Sequence, residues 1–593
     1  MQHLTVLLCW VQEYPSWGAQ WAGRAVAWAR GHAVSVGLWA AVASGAGLRV
    51  LLVSAGRAPF NADEAVVGLM ARHILQGERP VFFYGQSYLG SLDAYLAAGG
   101  FLFFGQQVWV LRLVQILLYV ITILSAAKVA ELAFGSQAHG LLAAWLLAIP
   151  PVNAVLYTTV TLGGYGEMLL LGSLELLAAL RIASSFFKHM TPSWTAWFSL
   201  GLLAGLGVWV FGLTLVFTLP VLLYLAWRWW LWSKSTAWQQ KDQSSRRIAI
   251  RQTVLGAVLV GVGAGMGAAP WWVYALKNSL HRLMSELGGT AIAGVEGLTY
   301  LQEVGRHFAS LLLLGLPAAL GMRPPWEVRW LALPLLPLAL AFWLGVLGLM
   351  VRAMWGQGRR AIQQTGEPAS RMDLGGERLL AWVGLTLVAG FVFTPFGADP
   401  SGRYFLPLLI PLAAFGAYAC LQMRRSWGRL SWGVAGLILA FNAWGILDSA
   451  LRFPPGLTTQ FDAAARIDQQ DQTRLASFLL ENGERRGYTT YWVTYPLAFH
   501  SGEQLIFTPR LPYHPDFRYT DRDDRYPPYS QAVADADRIA YITARQPWLD
   551  ERLRAGFNEQ GIAWRETQIG DFRVFYQLER VVRPEQLNLE RSQ

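Results

Sequence analysis

The sequence predicts a polytopic α-helical membrane protein that ends in a soluble α/β or α+β domain. Three observations carry that prediction. Of 593 residues, 54% are hydrophobic and only 15% are charged, well below the usual charge content of soluble chains. The apolar residues fall in blocks long enough to cross a bilayer, which takes about 20 residues per helix. From about Phe453 onward, charge, Pro and Tyr become common and no further apolar block appears.

Taken in order, residues 1–32 read as a cytoplasmic N-terminal segment containing Arg24 and Arg30. Leu4 to Trp10 is too short, and too poor in preceding charge, for a cleaved signal peptide, so the first span is expected to act as an uncleaved insertion signal. Spans are expected near 33–55, 107–127, 138–155, 164–182, 194–209, 211–231, 252–275, 331–351, 379–396, 403–422 and 430–448, about eleven in all. Between them stand Arg181 and Lys188; Lys234, Lys241, Arg246, Arg247 and Arg251; Arg352, Arg359 and Arg360; and Arg424, Arg425 and Arg429. With this count every basic cluster falls on one side, the cytoplasmic one. Counting Leu311 to Leu320 as a further span would move Arg352 to Arg360 outside, so that run reads as a re-entrant or interfacial helix.

The same parity groups four features on the outer face: the loop 56–106, the turn from Pro150 to Gly164, the loop from Lys277 to Trp330, and everything after Asp448. The first loop holds two helical stretches, Glu64 to Leu75 and Tyr88 to Phe104, expected to lie along the interface. Within the 449–593 domain, Asp468 to Asn482 reads as helix, Gly487 to Tyr495 and Arg573 to Leu578 as strands, and Arg518 to Tyr529 as a loop. The net charge of +10 lies largely in the short basic loops, so it reports topology and not a nucleic-acid partner. The 28 Trp suit membrane interfaces. Cys9 and Cys420 supply neither a disulfide framework nor a metal knuckle. Gly261 to Gly267 lacks a P-loop lysine and reads as a close helix contact.

Chemistry is sought where charge borders a span, because such placement is costly. In Pro59-Phe60-Asn61-Ala62-Asp63-Glu64, Asn61 and Glu64 have capping-box spacing, and Asp63 and Glu64 suit the first turn of a helix. That account needs no activity. The alternative is that a carboxylate just outside the bilayer takes a proton from an acceptor hydroxyl. Glu167 opens the fourth span, and Arg403 and Tyr404 open the tenth, all at the outer side, so Asp63, Glu167 and Arg403 are expected to converge. A carboxylate base and a guanidinium suit attack by a hydroxyl on a phosphate-linked sugar, since phosphate leaves readily once its charge is held. Lesser candidates are Arg72, His73 and Arg79 for the phosphate, Asp93 for sugar hydroxyls, and Tyr84, Gln86 and Tyr88 for sugar stacking. No cofactor is required. A divalent metal held by Asp63 with Glu167 is chemically admissible, but no spacing indicates one.

The Asn61-Ala62-Asp63-Glu64 loop, Gly163-Gly164-Tyr165-Gly166-Glu167 and Arg403-Tyr404-Phe405-Leu406-Pro407 resemble the GT-C superfamily of integral-membrane glycosyltransferases. The likeness is to the branch of protein O-mannosyltransferases and the lipid A aminoarabinose transferase, and it covers roughly residues 33–448. It implies inverting transfer from a polyprenyl-phosphate-linked sugar, a hexose or pentose, to a lipid, polysaccharide or protein hydroxyl on the outer face of the plasma membrane. It also implies roles: Asp63 as base, Glu64 supporting the loop, Arg403 on the donor phosphate, and Glu167 near the acceptor or sugar, where aspartate is more usual. The rival expectations are a transporter or flippase of lipid-linked sugars, and a scaffold whose tail binds glycans. Neither the internal repeats nor the midplane charges typical of transporters are evident.

Overall fold

A computed structural model describes residues 32–187, 192–240, 242–285, 298–355, 375–452, 456–462, 465–514, 518–587, 589 and 591–592. Arg24, Arg30, Lys188, Lys241, Arg359 and Arg360 lie outside the described residues. Among those residues, nine helices are long and apolar enough to cross a membrane: Ala33–Ser54, Val108–Phe134, Tyr165–Phe186, Gly212–Ser233, Gln243–Gly267, Leu336–Trp355, Gly376–Phe393, Arg403–Trp427 and Leu430–Leu451. Gln137–Ala148 and Trp194–Val210 are shorter apolar helices at the places expected for two further spans. The first of these stops before Pro150-Pro151, and a separate short helix, Val152–Tyr157, follows, because a proline ring cannot continue a helix interior. The protein is a multi-pass α-helical membrane protein.

The Trp194–Val210 and Gln243–Gly267 helices show how the bundle closes. A Cβ on Gly201 would stand 2.1 Å from the Val260 carbonyl oxygen, and one on Gly263 would stand 2.4 Å from that of Phe198. Backbones this close admit only small residues, as expected for Gly263 and Gly267. Gly261 and Gly265 meet nothing within 4 Å and play no part in this contact.

Outside the spans, the order of elements differs from the sequence reading in three places. The stretch before Leu92 is a two-stranded hairpin, Phe82–Phe83 with Gln86–Gly90, and the helix begins only at Leu92. A Cβ on Gly90 would lie 2.5 Å from the Trp209 carbonyl oxygen, and Leu89 bridges to Phe211, so extended backbone is fixed here by the neighbouring span. The Leu92–Phe104 helix leaves Leu102, Phe103 and Phe104 exposed, as an interfacial helix would. Leu311 to Leu320 is not an isolated piece: helix runs from Tyr300 through a π-turn at Leu311–Gly315 to Ala319.

The third difference lies in the C-terminal part. Its five-stranded sheet runs Ile506–Thr508, Arg486–Tyr488, Ala540–Ala544, Phe572–Tyr576, Arg565–Ile569, the first three parallel and the last two antiparallel additions. Alternate residues of the central strand feed two cores, Ala540, Ile542 and Ala544 into one and Tyr541 into the other. Gln472–Glu481 is helical, as the sequence suggests. Residues 491–500, however, form a helix and not the continuation of a strand, and Arg518 to Tyr529 contains a short strand, a 3-10 turn and the start of the Pro527–Ala534 helix. Tyr491, Val493 and Tyr495 mimic strand alternation. In the fold, Tyr491, Tyr495, Ala498 and Phe499 form a helical face that joins the membrane core, while Val493 and Leu497 join the domain's own core. This helix is therefore the joint between the two parts of the chain.

The four features grouped on one side by parity do meet. Arg466 Nη2 donates to Trp326 O at 2.8 Å, Leu457 N to Arg57 O at 2.7 Å, and Gly163 N to Asp93 Oδ2 at 3.1 Å.

Candidate active site

Asp63 stands in the first turn of the Ala62–Gln76 helix, half-buried. Asn61 caps that helix in extended backbone, its side-chain oxygen accepting from Glu64 N at 2.9 Å. The reciprocal half of the capping box does not form. Glu64 is fully buried and accepts from Arg112 Nε at 3.0 Å and Nη2 at 2.9 Å. A two-pronged guanidinium satisfies a buried carboxylate better than one backbone N–H. Glu64 thus anchors the helix against the Val108–Phe134 span and leaves its neighbour Asp63 to face the accessible side.

Arg403 follows a turn in which Gly402 takes φ +109°, and Asn153 and Arg323 hold the backbone on either side of that turn. Its Nη2 meets Asp399 Oδ2 at 2.5 Å, and Asp399 accepts from Ser401 N at 2.9 Å. Burial alone would raise the Asp399 carboxyl, but Arg403 and the Ser401 bonds outweigh it and hold it below the usual carboxylate range. Arg403 lies over the Tyr404 ring, Cζ 5.1 Å from its centroid. The Arg403 side chain stays 38% accessible, and its buried Nε has no hydrogen-bond partner. Tyr404 itself is buried, edge-on to Phe396.

The charges of Asp63 and Arg403 both act on the phenols of Tyr88 and Tyr157. The C-terminal part closes the other side. Tyr491 OH donates to Asp63 Oδ1 at 2.5 Å, and burial followed by the Asp63 charge raises that phenol well above its ordinary value. Asp63 Oδ2 accepts no hydrogen bond from a described residue. Arg525 lies over Tyr491, Cζ 5.4 Å from the ring centroid, within the field of Asp63. Burial pushes the nearby Asp523 carboxyl up to about 7, against the pull of Arg525.

Glu167 sits in a buried polar cluster with Gln115 and Asp93. It is 2% exposed, accepts from Gln115 Nε2 at 3.1 Å, and interacts with the equally buried Asp93. Asp93 in turn accepts from Ala94 N at 2.7 Å and Gly163 N at 3.1 Å. Gly163 and Gly164 take φ +84° and +89°, the left-handed region that favours glycine, and so aim their amides at this pair. Burial and the Glu167 charge raise the Asp93 carboxyl well above its ordinary value. Asp93 is neither solvated nor at the accessible surface. Among the described residues no three His, Cys, Asp or Glu side chains gather as metal ligands.

Arg72 is committed as well: it donates to Gln106 Oε1 at 2.8 Å, Glu503 Oε2 at 3.2 Å and Phe499 O at 3.1 Å. Tyr84 donates to Glu78 Oε2 at 2.5 Å and stacks on Tyr526 at 4.8 Å, so one ring face is taken by protein. Both belong to the joint between the loop and the C-terminal part, not to the Asp63 neighbourhood. Arg79 is likewise spent on the carbonyls of Ile74 and Glu78. Sequence reasoning passed over Arg112, Tyr491, Arg525 and Asp399. Arg112 did carry a signal, a lone arginine inside an apolar block; Tyr491 and Arg525 carried none, being assigned to a separate domain.

Comparison with known proteins bears on the fold. The family model described as dolichyl-phosphate-mannose-protein mannosyltransferase matches residues 91–239. No curated protein matches the chain in sequence. Among solved structures, ArnT from Cupriavidus metallidurans in the apo state is similar with a TM-score of 0.52 at 12% identity, covering 89% of this chain and 97% of that one. The same protein bound to undecaprenyl phosphate gives 0.50 at 13% identity, covering 89% and 98%. The oligosaccharyltransferase AglB from Archaeoglobus fulgidus, in complex with an inhibitory peptide and a dolichol-phosphate, gives 0.49 at 12% identity, covering 89% and 71%. The fold of this chain is similar to that of ArnT over most of both chains.

Proposed function

We propose that the protein is a glycosyltransferase that moves a sugar from a polyprenyl-phosphate-linked donor to an acceptor hydroxyl at the outer face of the plasma membrane. The single observation that carries this reading is that a half-buried carboxylate, Asp63, and a partly accessible guanidinium, Arg403, both act electrostatically on Tyr88 and Tyr157. Asp63 takes the proton of the acceptor hydroxyl. That oxygen attacks the anomeric carbon from the side opposite the phosphate, and the bond from that carbon to the phosphate oxygen breaks. The electron pair leaves with the polyprenyl phosphate, whose charge Arg403 holds, and the configuration inverts. The proton on Asp63 then returns to water.

The resemblance to ArnT, whose structure holds undecaprenyl phosphate, supports a lipid phosphate as the leaving group. The basic clusters on the opposite side of the spans support the outward orientation of the site and of residues 449–593. The acceptor is a lipid, polysaccharide or protein hydroxyl, and the sugar a hexose or pentose. Purified full-length protein in proteoliposomes, given a radiolabelled polyprenyl-phosphate sugar and envelope acceptors, tests the reading. Label transferred to an acceptor supports it; label that crosses the bilayer without transfer identifies a flippase instead.

A further inference from the structure

We infer that the C-terminal domain completes the active site, Tyr491 positioning the Asp63 carboxylate and Arg525 acting with Arg403 as a two-guanidinium clamp for the donor phosphate. This inference rests on the transferase reading above and adds residues that neither the sequence nor the comparisons assign. It is carried by geometry. Tyr491 holds one oxygen of Asp63 at 2.5 Å, which orients the carboxylate and leaves Oδ2 to receive the acceptor proton. The Tyr491–His500 helix cannot drift from this place. Phe499 fills the space over Gly68, where a Cβ would lie 2.6 Å from its ring, and packs on Phe60 at 5.4 Å.

Arg525 is placed with similar care. Its backbone N donates to Tyr495 OH at 2.6 Å, so the helix that carries Tyr491 also fixes the Arg525 backbone. Its Cδ would lie 2.9 Å from a Cβ on Gly85, so the loop hairpin approaches it closely. The Gln86 carboxamide, with its oxygen turned to the guanidinium, accepts from Nη1 and Nη2 at 2.8 Å. The Nε atoms of Arg525 and Arg403 are both buried and unpartnered, a costly state unless a ligand supplies the acceptor. The charges of Arg403 and Arg525 reach the same phenol, Tyr88. Two guanidinium groups approaching one neighbourhood from separate parts of the chain suit a phosphodiester, whose oxygens accept from both. Asp399 pairs with Arg403, and Asp63 and Asp523 lie in the field of Arg525.

The test measures binding of sugar-free undecaprenyl phosphate to the full-length protein in detergent, beside transfer. Wild type is expected to bind, Arg403→Ala and Arg525→Ala each to weaken binding about tenfold or more, and Arg525→Lys to retain most of it. Tyr491→Phe is expected to leave lipid binding within about twofold and the thermal midpoint unchanged, while transfer kcat falls about tenfold at constant donor KM. Arg525→Ala binding like wild type while Arg403→Ala does not would overturn the clamp and leave the transferase reading standing. Unchanged or faster transfer by Tyr491→Phe would overturn the positioning role. Wild-type protein that binds no undecaprenyl phosphate would remove the reading on which both rest.

Discussion

At the residue scale the adjacent acids Asp63 and Glu64 do different work because their surroundings differ. Asp63 is half-buried with one oxygen uncommitted, so it is the acid able to exchange a proton with an incoming hydroxyl. Asp63→Asn preserves shape and removes the base, and transfer is expected to fall at least about a thousandfold with the thermal midpoint unchanged. Near-normal turnover in that variant would reassign the base. Glu64, one residue along, is an anchor. Glu64→Gln leaves Arg112 buried beside a neutral amide, and loss of a buried partner costs about 3–5 kcal/mol. Calorimetry should show that loss, and pairing Glu64→Gln with Arg112→Met should recover part of it. Equal midpoints for the single variant and wild type would show that the pair does not hold the helix.

At the element scale, what was legible depended on whether local pattern and tertiary contact agreed. The spans were legible because lipid imposes length and apolarity on each segment separately. The cap at Asn61 was legible because its partner is three residues away. Half of that capping box was not, since Arg112 lies 48 positions along the chain from Glu64 and competes for the same carboxylate. The Tyr491–His500 helix was misread because aromatic alternation matches both a strand and a two-faced helix, and only the docked Ala62–Gln76 helix decides between them. The glycine-rich helix contact was read correctly in kind but not residue by residue. Gly263→Leu is expected to lower the thermal midpoint by forcing the Phe198 backbone away, an overpacking cost of about 1–3 kcal/mol. Gly261→Leu should be neutral, since a Cβ there meets nothing within 4 Å. The same shift in both variants would refute the close-contact assignment.

At the scale of the whole molecule, the main consequence is that the membrane part and the C-terminal part form one site. A separate tail domain, the natural reading of a composition change at Phe453, hides the contacts that matter most. The joint is held by Glu503, which accepts from Arg72 at 3.2 Å, pairs with His73 at 2.9 Å and accepts from Tyr529 at 2.8 Å. Burial alone would raise the Glu503 carboxyl, but the bonds from His73 and Tyr529 and the charges of His73 and Arg72 outweigh it and hold it at about 2. A folded value below the unfolded one means the stabilisation is complete above the unfolded carboxyl range and is lost as pH falls toward 2. With solvent screening of this partly exposed group, it amounts to about 1–2 kcal/mol at neutral pH. Glu503→Gln should therefore lower the thermal midpoint at pH 7, with the difference from wild type shrinking below about pH 4.5. A difference that does not change with pH would show that Glu503 does not hold the joint through its charge.

The most direct measurement is a density map of the full-length protein with undecaprenyl phosphate in a lipid nanodisc. The proposed chemistry requires the lipid phosphate to sit against Arg403, with Asp63 across the same opening and the polyprenyl chain running down between the helices. A phosphate seated away from Arg403, or separated from Asp63 by packed protein, would contradict it.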